Sequence, residues 1–260
     1  IINELRKDFI KDVNNFGFSP FIELSFKEQI KDKNIMKYFT FNNYDFSQYI
    51  KKMNFSVTLN NGVKMPIIGF GLWALYSNEC IQCVKDAISV GYRHFDTAQV
   101  YRNEREVGEG IRQSKFPRDQ LFVTTKTGTN GYSATKRGIE ESLKRFGFPY
   151  FDLILVHWPQ SDNIGTYRAL EEAYKEGKCK AIGLSNFNQR EFLEIYNNFQ
   201  TKPTVNQIET HLYFNQKNMH NFLLKHNCVH ESWSPFGGEG ARIDRKSTRL
   251  NSSHDQISYA

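Results

Sequence analysis

The chain has 260 residues, 39% of them hydrophobic, with 22 Phe and 13 Tyr, enough to bury one large core or two modest ones and too apolar for a generally disordered polypeptide. Its net charge of +6 is mild; with acidic residues interspersed and no recognition module, it reads as an incidental excess of lysine rather than a nucleic-acid-binding face. Four cysteines, at 80, 83, 179 and 228, do not make a disulfide framework in a chain this long, and with neither a membrane-length apolar run nor a signal-like start the expectation is a soluble, cytoplasmic protein.

Residues 1–53 differ in texture from the rest of the chain. Phe, Asn and Lys dominate, with weak helical patches at Leu5 to Val13 and Phe26 to Tyr38, and neither periodicity is long enough to define a structure. This reads as an accessory or extraneous N-terminal segment. A hairpin comes next: Phe55 to Leu59 alternates, Asn60-Asn61-Gly62 supplies the turn, and Val63 to Met65 returns. Ile67 to Trp73 is then a short apolar strand whose Gly69-Phe70-Gly71 lacks the third glycine and the immediate helix of a dinucleotide fingerprint.

From there one unit repeats. Apolar residues at three- and four-residue steps predict helices at Asn78 to Ser89, Glu104 to Gln113, Ser133 to Phe146, Tyr167 to Glu176, Asn188 to Asn197 and Asn215 to His226. Asn188 with Glu191 is a capping pattern, and Gly91, Gly147 and Gly177 follow helical stretches. Cys80 and Cys83 form a C-x-x-C, but they share a helical pattern with Ile81, Val84 and Ile88 and no second pair follows, so they read as an ordinary helical pair. Short apolar runs lie between the helices: Tyr92 to Phe95, Leu121 to Thr125, Phe151 to Val156, Ala181 to Leu184, Thr204 to Asn206 and Val229 to Ser232. Strand and helix alternating with parallel-compatible connections predict an α/β fold, either a barrel or a doubly wound sheet.

The residues just past these runs favour the barrel. Asp96, Lys126, His157, Ser185-Asn186, Gln207 and Trp233-Ser234 would all meet at one mouth of a barrel, whereas an open sheet would spread them along an edge. Four of these groups make a chemical set once Tyr101, five residues beyond Asp96, is included. Lys126 can stabilise a Tyr101 phenolate and so lower the phenol from its reference pKa near ~10, while Asp96 holds the ammonium and offsets its charge. Tyr101 can then donate a proton to a carbonyl oxygen or take one from an alcohol, with His157 orienting that oxygen. Carbonyl reduction also needs a hydride, which no side chain supplies, so a nicotinamide cofactor is implied. Taken singly, each residue has a plainer reading: a turn cap for Asp96, packing for Tyr101, a buried loop histidine for His157. Zinc is not expected, because His94, His157, His211, His220, His226 and His230 are scattered without ligand spacing.

These motifs resemble the aldo-keto reductase family over residues 54 to about 240. The resemblance rests on Gly91-Tyr92-Arg93-His94-Phe95-Asp96-Thr97-Ala98 followed by Tyr101, on Leu155-Val156-His157-Trp158-Pro159, on Gly183-Leu184-Ser185-Asn186-Phe187 and on Asn206-Gln207-Ile208-Glu209. It implies a (β/α)8 TIM barrel with the hairpin plugging its amino end, and a catalytic set of Asp96, Tyr101, Lys126 and His157. It also implies NADPH, with Ser185, Asn186 and Gln207 on the nicotinamide carboxamide and Trp233 and Ser234 beside the ring. Trp73, His157 and Trp158 are implied for the small-molecule carbonyl substrate: an aldehyde, a ketone or a keto-sugar. Trp233 within Glu231-Ser232-Trp233-Ser234-Pro235-Phe236-Gly237 looks like bacterial 2,5-diketo-gluconate reductases, and the family likeness favours a monomer without metal. Arg93, Arg102 and Arg105 admit an acidic substrate or ordinary surface pairing.

The pattern changes after Gly240. Residues 241–260 have no helix or strand period and look like a translated adapter, and Lys246-Ser247-Thr248-Arg249 is only superficially like the basic pocket for an adenosine 2′-phosphate. The expectation is a partial barrel over 54–240, with seven strands present, the eighth missing and two sheet edges open. The competing readings are a non-catalytic nucleotide-binding member of the family and an inactive fragment.

Overall fold

The computed structural model describes the backbone of residues 22–25 and all of residues 56–235. The remainder of 1–55, including both helical patches, and residues 236–260 lie outside the described residues. The hairpin comprises β2 (Ser56–Thr58) and β3 (Lys64–Pro66), paired antiparallel. Seven strands then follow in series: β4 (Ile68–Gly71), β5 (His94–Asp96), β6 (Phe122–Thr127), β7 (Phe151–Val156), β8 (Cys179–Ser185), β9 (Val205–Glu209) and β10 (Val229–Trp233). Each is parallel to its successor. The helices between them are α1 (Ser77–Val90), α2 (Glu104–Ser114), α3 (Tyr132–Phe146), α4 (Asn163–Lys175), α5 (Gln189–Asn198) and α6 (Lys217–Lys225). This is the incomplete (β/α)8 series expected, with no eighth strand after β10 among the described residues.

The edges are nevertheless not open. Strand β1 (Ile22–Ser25), from the segment ahead of the hairpin, pairs in parallel with β10 through Ile22 and Ser232. On its other side it pairs with β4 through four residues, from Ile22 with Ile68 to Ser25 with Gly71. The sheet closes as a barrel in the order β1, β10, β9, β8, β7, β6, β5, β4. The open-edged sheet inferred from sequence is thus corrected. A short β-compatible segment gains ladder partners on both sides, along four residues of β4 and at one residue of β10, so neither edge is left without a neighbouring strand.

Local signals account for the helix ends. Asn188 accepts from the Glu191 N–H at 3.1 Å and Glu191 from the Asn188 N–H at 3.0 Å, the reciprocal capping box that opens α5. Helix α1 ends at Gly91 with φ of 110° and α3 at Gly147 with φ of 73°, a left-handed conformation that glycine adopts without a Cβ clash. Helix α4 starts four residues before the apolar periodicity does, because Asp162 caps it by accepting from the Gly165 N–H at 2.7 Å. Cys80 and Cys83 lie on the buried side of α1, where burial pushes their thiols up to about 12 and about 11.

Strand alternation divides the interior in two. Phe95, Val123, Ile154, Ile182 and Ile208 point outward into the main core beneath the helices. Phe122, Leu153, Leu155, Ala181 and Val205 point inward and pack with Leu59 and Met65 of the hairpin, which plugs the amino end as expected. Asn60 and Asn61 anchor that plug by donating to the carbonyls of Pro203 and Lys180, each at 2.9 Å. No helix among the described residues is long and apolar enough to cross a membrane.

Candidate active site

The carboxyl ends of the strands bring the predicted set together. Asp96 ends β5, Lys126 lies in β6 and His157 follows β7 directly. Lys126 and Asp96, both 1% exposed, form an ion pair through Lys126 Nζ and Asp96 Oδ1. The same ammonium donates to the Thr97 carbonyl at 3.2 Å and to the Tyr101 hydroxyl at 3.5 Å. Burial makes this arrangement matter, because a lone buried ammonium would be strongly penalised, whereas this one is both ion-paired and hydrogen-bonded.

Tyr101 is delivered by a 3₁₀ turn, Gln99–Tyr101, closed by Arg102 in the left-handed region at φ of 58°. Polar side chains clamp that loop. Gln99 accepts from the Gly128 N–H at 2.7 Å and donates to Ser142 at 3.0 Å. Buried Asn103 donates to the carbonyls of Leu72 and Leu75 at 2.8 and 2.9 Å and accepts from Thr97 at 2.5 Å. Sequence reasoning passed over Asn103; its only signal was a polar residue placed immediately before a helix.

The His157 ring meets the Tyr101 ring edge to face, with centroids 5.8 Å apart. Burial, with Lys126 second and Asp96 opposing, holds the His157 imidazole down at about 4. It is therefore neutral near pH 7, with one N–H to offer and no charge to compete with Lys126. Trp73 and Trp158 are half exposed and belong to the loops after β4 and β7. The mouth thus has a floor of buried ionisable groups and an aromatic rim.

The residues expected to hold a nicotinamide are partly bonded to one another. Asn186, with φ of 66°, donates to the His157 carbonyl at 2.9 Å and to Ser185 at 3.0 Å, and accepts from the Trp233 indole at 2.8 Å. Gln207 donates to Asp96 Oδ2 at 2.9 Å. Asn186 therefore fixes Trp233 and the loop after β7, while the Ser185 hydroxyl and the Gln207 amide oxygen retain hydrogen-bonding capacity that suits a carboxamide. Ser234 stands just past β10 with φ of 50°. No group of three or more potential metal-ligating side chains occurs among the described residues. Arg93 sits before β5, away from the mouth, where it donates to the carbonyls of Ile88 and Tyr92 and covers the Phe116 ring at 4.0 Å.

Two buried ionisable groups were missed. His94 and Glu231 are 1% and 3% exposed and lie one inward-facing position below Asp96 and Trp233. Their signal was the period of two, since a residue two before a mouth residue on the same strand shares the interior face. His94 Nε2 is 2.9 Å from Thr124 Oγ1 and 4.0 Å from Glu231 Oε1. Burial, against Asp96, holds His94 down at about 4. Burial, with Asp96 second, pushes the Glu231 carboxyl up to about 8 against the opposing pull of Lys126 and the Gln207 amide.

A barrel of this order with this mouth is matched by the model for the aldo/keto reductase family over residues 67–256, and the chain belongs to that family. The match runs past residue 240, into the stretch where the sequence pattern changes. The chain is 43% identical over 192 residues to the 9,11-endoperoxide prostaglandin H2 reductase of Trypanosoma cruzi, covering 72% of this chain and 68% of that protein. It is 42% identical to the glyoxal reductase of Bacillus subtilis, covering 69% and 67% respectively. Among solved structures it resembles an aldo-keto reductase from a Medee basin deep-sea metagenome library, with 39% identity, a TM-score of 0.71 and coverage of 78% and 76%. It also resembles a Bombyx mori aldo-keto reductase in complex with NADP, with 30% identity, a TM-score of 0.70 and coverage of 77% and 76%. The chain thus spans about two thirds of the length of these curated relatives. Their names support the family's general NAD(P)H-dependent carbonyl chemistry, not the narrower likeness to 2,5-diketo-gluconate reductases.

Proposed function

We propose that this chain reduces aldehydes, ketones or keto-sugars to alcohols with NADPH as donor and Tyr101 as general acid. The observation that carries this reading is the Tyr101 hydroxyl 3.5 Å from a Lys126 ammonium that is itself ion-paired with Asp96 inside the barrel. Tyr101 gives its proton to the substrate carbonyl oxygen as that oxygen gains negative charge. Lys126 stabilises the phenolate left behind, and Asp96 keeps Lys126 aimed at it. Neutral His157 donates its N–H to the same oxygen and sets its orientation. Trp73 and Trp158 flank the bound carbonyl and limit its access to water. Ser185 and Gln207 would hold a carboxamide, and Trp233, braced by Asn186, would lie against a nicotinamide ring; when bound, that group supplies the hydride.

The test follows the loss of NADPH absorbance with methylglyoxal, an aromatic aldehyde and a keto-sugar. Tyr101→Phe removes only the acidic hydroxyl, so kcat is expected to fall by at least about 100-fold while NADPH still binds. Turnover that survives Tyr101→Phe, or its absence from the wild type with every carbonyl tried, would refute the reading.

A further inference from the structure

Among the described residues, the barrel interior holds more acid than its ammonium can neutralise. Facing Glu231 among the described side chains are His94 and Asp96 of β5, Lys126 of β6 and the uncharged Gln207 of β9, its register partner; β1, paired to the other side of β10, carries the acidic Glu23, whose side chain lies outside the described residues. On its own strand His230 faces the opposite way, toward His220 at 3.3 Å and Thr210 at 2.8 Å. Lys126 is ion-paired with Asp96, and burial keeps His94 neutral near pH 7. One Glu231 oxygen, Oε2, is buried and makes no hydrogen bond among the described residues. Two ionised carboxylates sharing one cation in this space would leave a net negative charge without water to screen it.

We propose that Glu231 is a positioning residue of the reductase site, kept as a neutral acid beneath Lys126 and Gln207, and that its ionisation shuts down carbonyl reduction on the alkaline side. The inference rests on the reading of Tyr101 as general acid. With Glu231 neutral, the Asp96–Lys126 pair is electrically balanced and the ammonium's field acts on the Tyr101 oxygen. When Glu231 loses its proton to solvent, a second negative charge sits behind that ammonium. Its field opposes formation of the Tyr101 phenolate, so proton donation slows. The same charge draws on the Gln207 amide, which otherwise tethers Asp96 at 2.9 Å.

The test compares pH profiles of kcat/KM for NADPH-dependent reduction by wild type, Glu231→Gln and Glu231→Ala. The wild type is expected to lose activity through a limb centred near pH 8, the region set by the Glu231 carboxyl. Glu231→Ala should lower kcat/KM at neutral pH by about tenfold. Glu231→Gln, an isostere of the neutral acid, should restore most of that loss and move the limb upward by at least about one pH unit. A limb unchanged in Glu231→Gln overturns the proposal. Infrared titration of the full chain labelled with carbon-13 glutamate provides a readout that needs no turnover and no substitution. A protonated glutamic acid carbonyl band at pH 7 that disappears on alkalinisation is expected, and its absence at pH 7 also overturns the proposal. A wild type that shows the band without turnover would instead refute the reductase reading and the role of Glu231 in it.

Discussion

Lys126→Met tests whether the ammonium is both the anchor and the electrostatic source of the site. Methionine keeps much of the side-chain volume and removes the charge, leaving Asp96 inside the barrel with Gln207 as its remaining side-chain donor among the described residues. The Thr97 carbonyl also loses its partner. Breaking a buried ion pair by removing one member costs about 3–5 kcal/mol, because the other charge is stranded. For a domain of this size each kcal/mol lowers Tm by roughly 2–4 °C, so a fall of about 6–20 °C is expected by thermal unfolding at pH 7. Kcat should fall with it, since the Tyr101 phenolate loses its stabilising cation. Asp96→Asn combined with Lys126→Met removes both charges, so it should regain most of the stability and none of the turnover. That divergence separates a packing role from an electrostatic one. A single variant within about 1 kcal/mol of wild type would refute the account of the pair as a buried unit.

The pH dependence of stability should be two-sided. His94, His157 and His230 are held at about 4 against an ordinary 6.5, so the stability they confer is complete above pH 6.5 and is lost as pH falls from 6.5 to 4. Glu231 acts in the opposite direction. Raised from 4.5 to about 8, it costs nothing below pH 4.5 and progressively more as pH rises to 8. Urea midpoints measured from pH 4 to 9 should therefore peak near pH 6.5, and Glu231→Gln should remove the decline between pH 6.5 and 8 while steepening the rise between pH 4.5 and 6.5; slopes unchanged across that whole window would refute the assignment. The closing strand gives an independent prediction. Leu24→Pro places a residue without an N–H in a strand paired on both sides, at a cost of about 3 kcal/mol. An unchanged thermal transition would mean that β1 does not hold the edges together.

Much of the site was legible because its chemistry sits at predictable places. Asp96, Lys126 and His157 occupy the ends of apolar runs, and parallel strands with intervening helices leave those ends on one side. The capping box at Asn188 and the glycine ends of α1 and α3 were equally readable, because they depend on contacts within a few residues. Asn103 was not. Its value comes from joining loops whose partners lie 28 and 31 residues away. Arg93 looked available for an acidic substrate until the strand direction put it at the other end.

The sequence by itself determined the repeating strand and helix, the hairpin plug and which polar side chains stand at the strand ends, since periodicity, turn chemistry and residue type are local properties. The tertiary structure alone decided that Ile22–Ser25 lies between β4 and β10, because strand pairing joins backbone groups across any sequence distance. It alone decided, too, that Glu231 and His94 share the dry interior with Asp96 and Lys126. Whether a carboxyl there keeps its proton depends on the number of charges the closed barrel brings within a few ångströms, and that number exists only after folding.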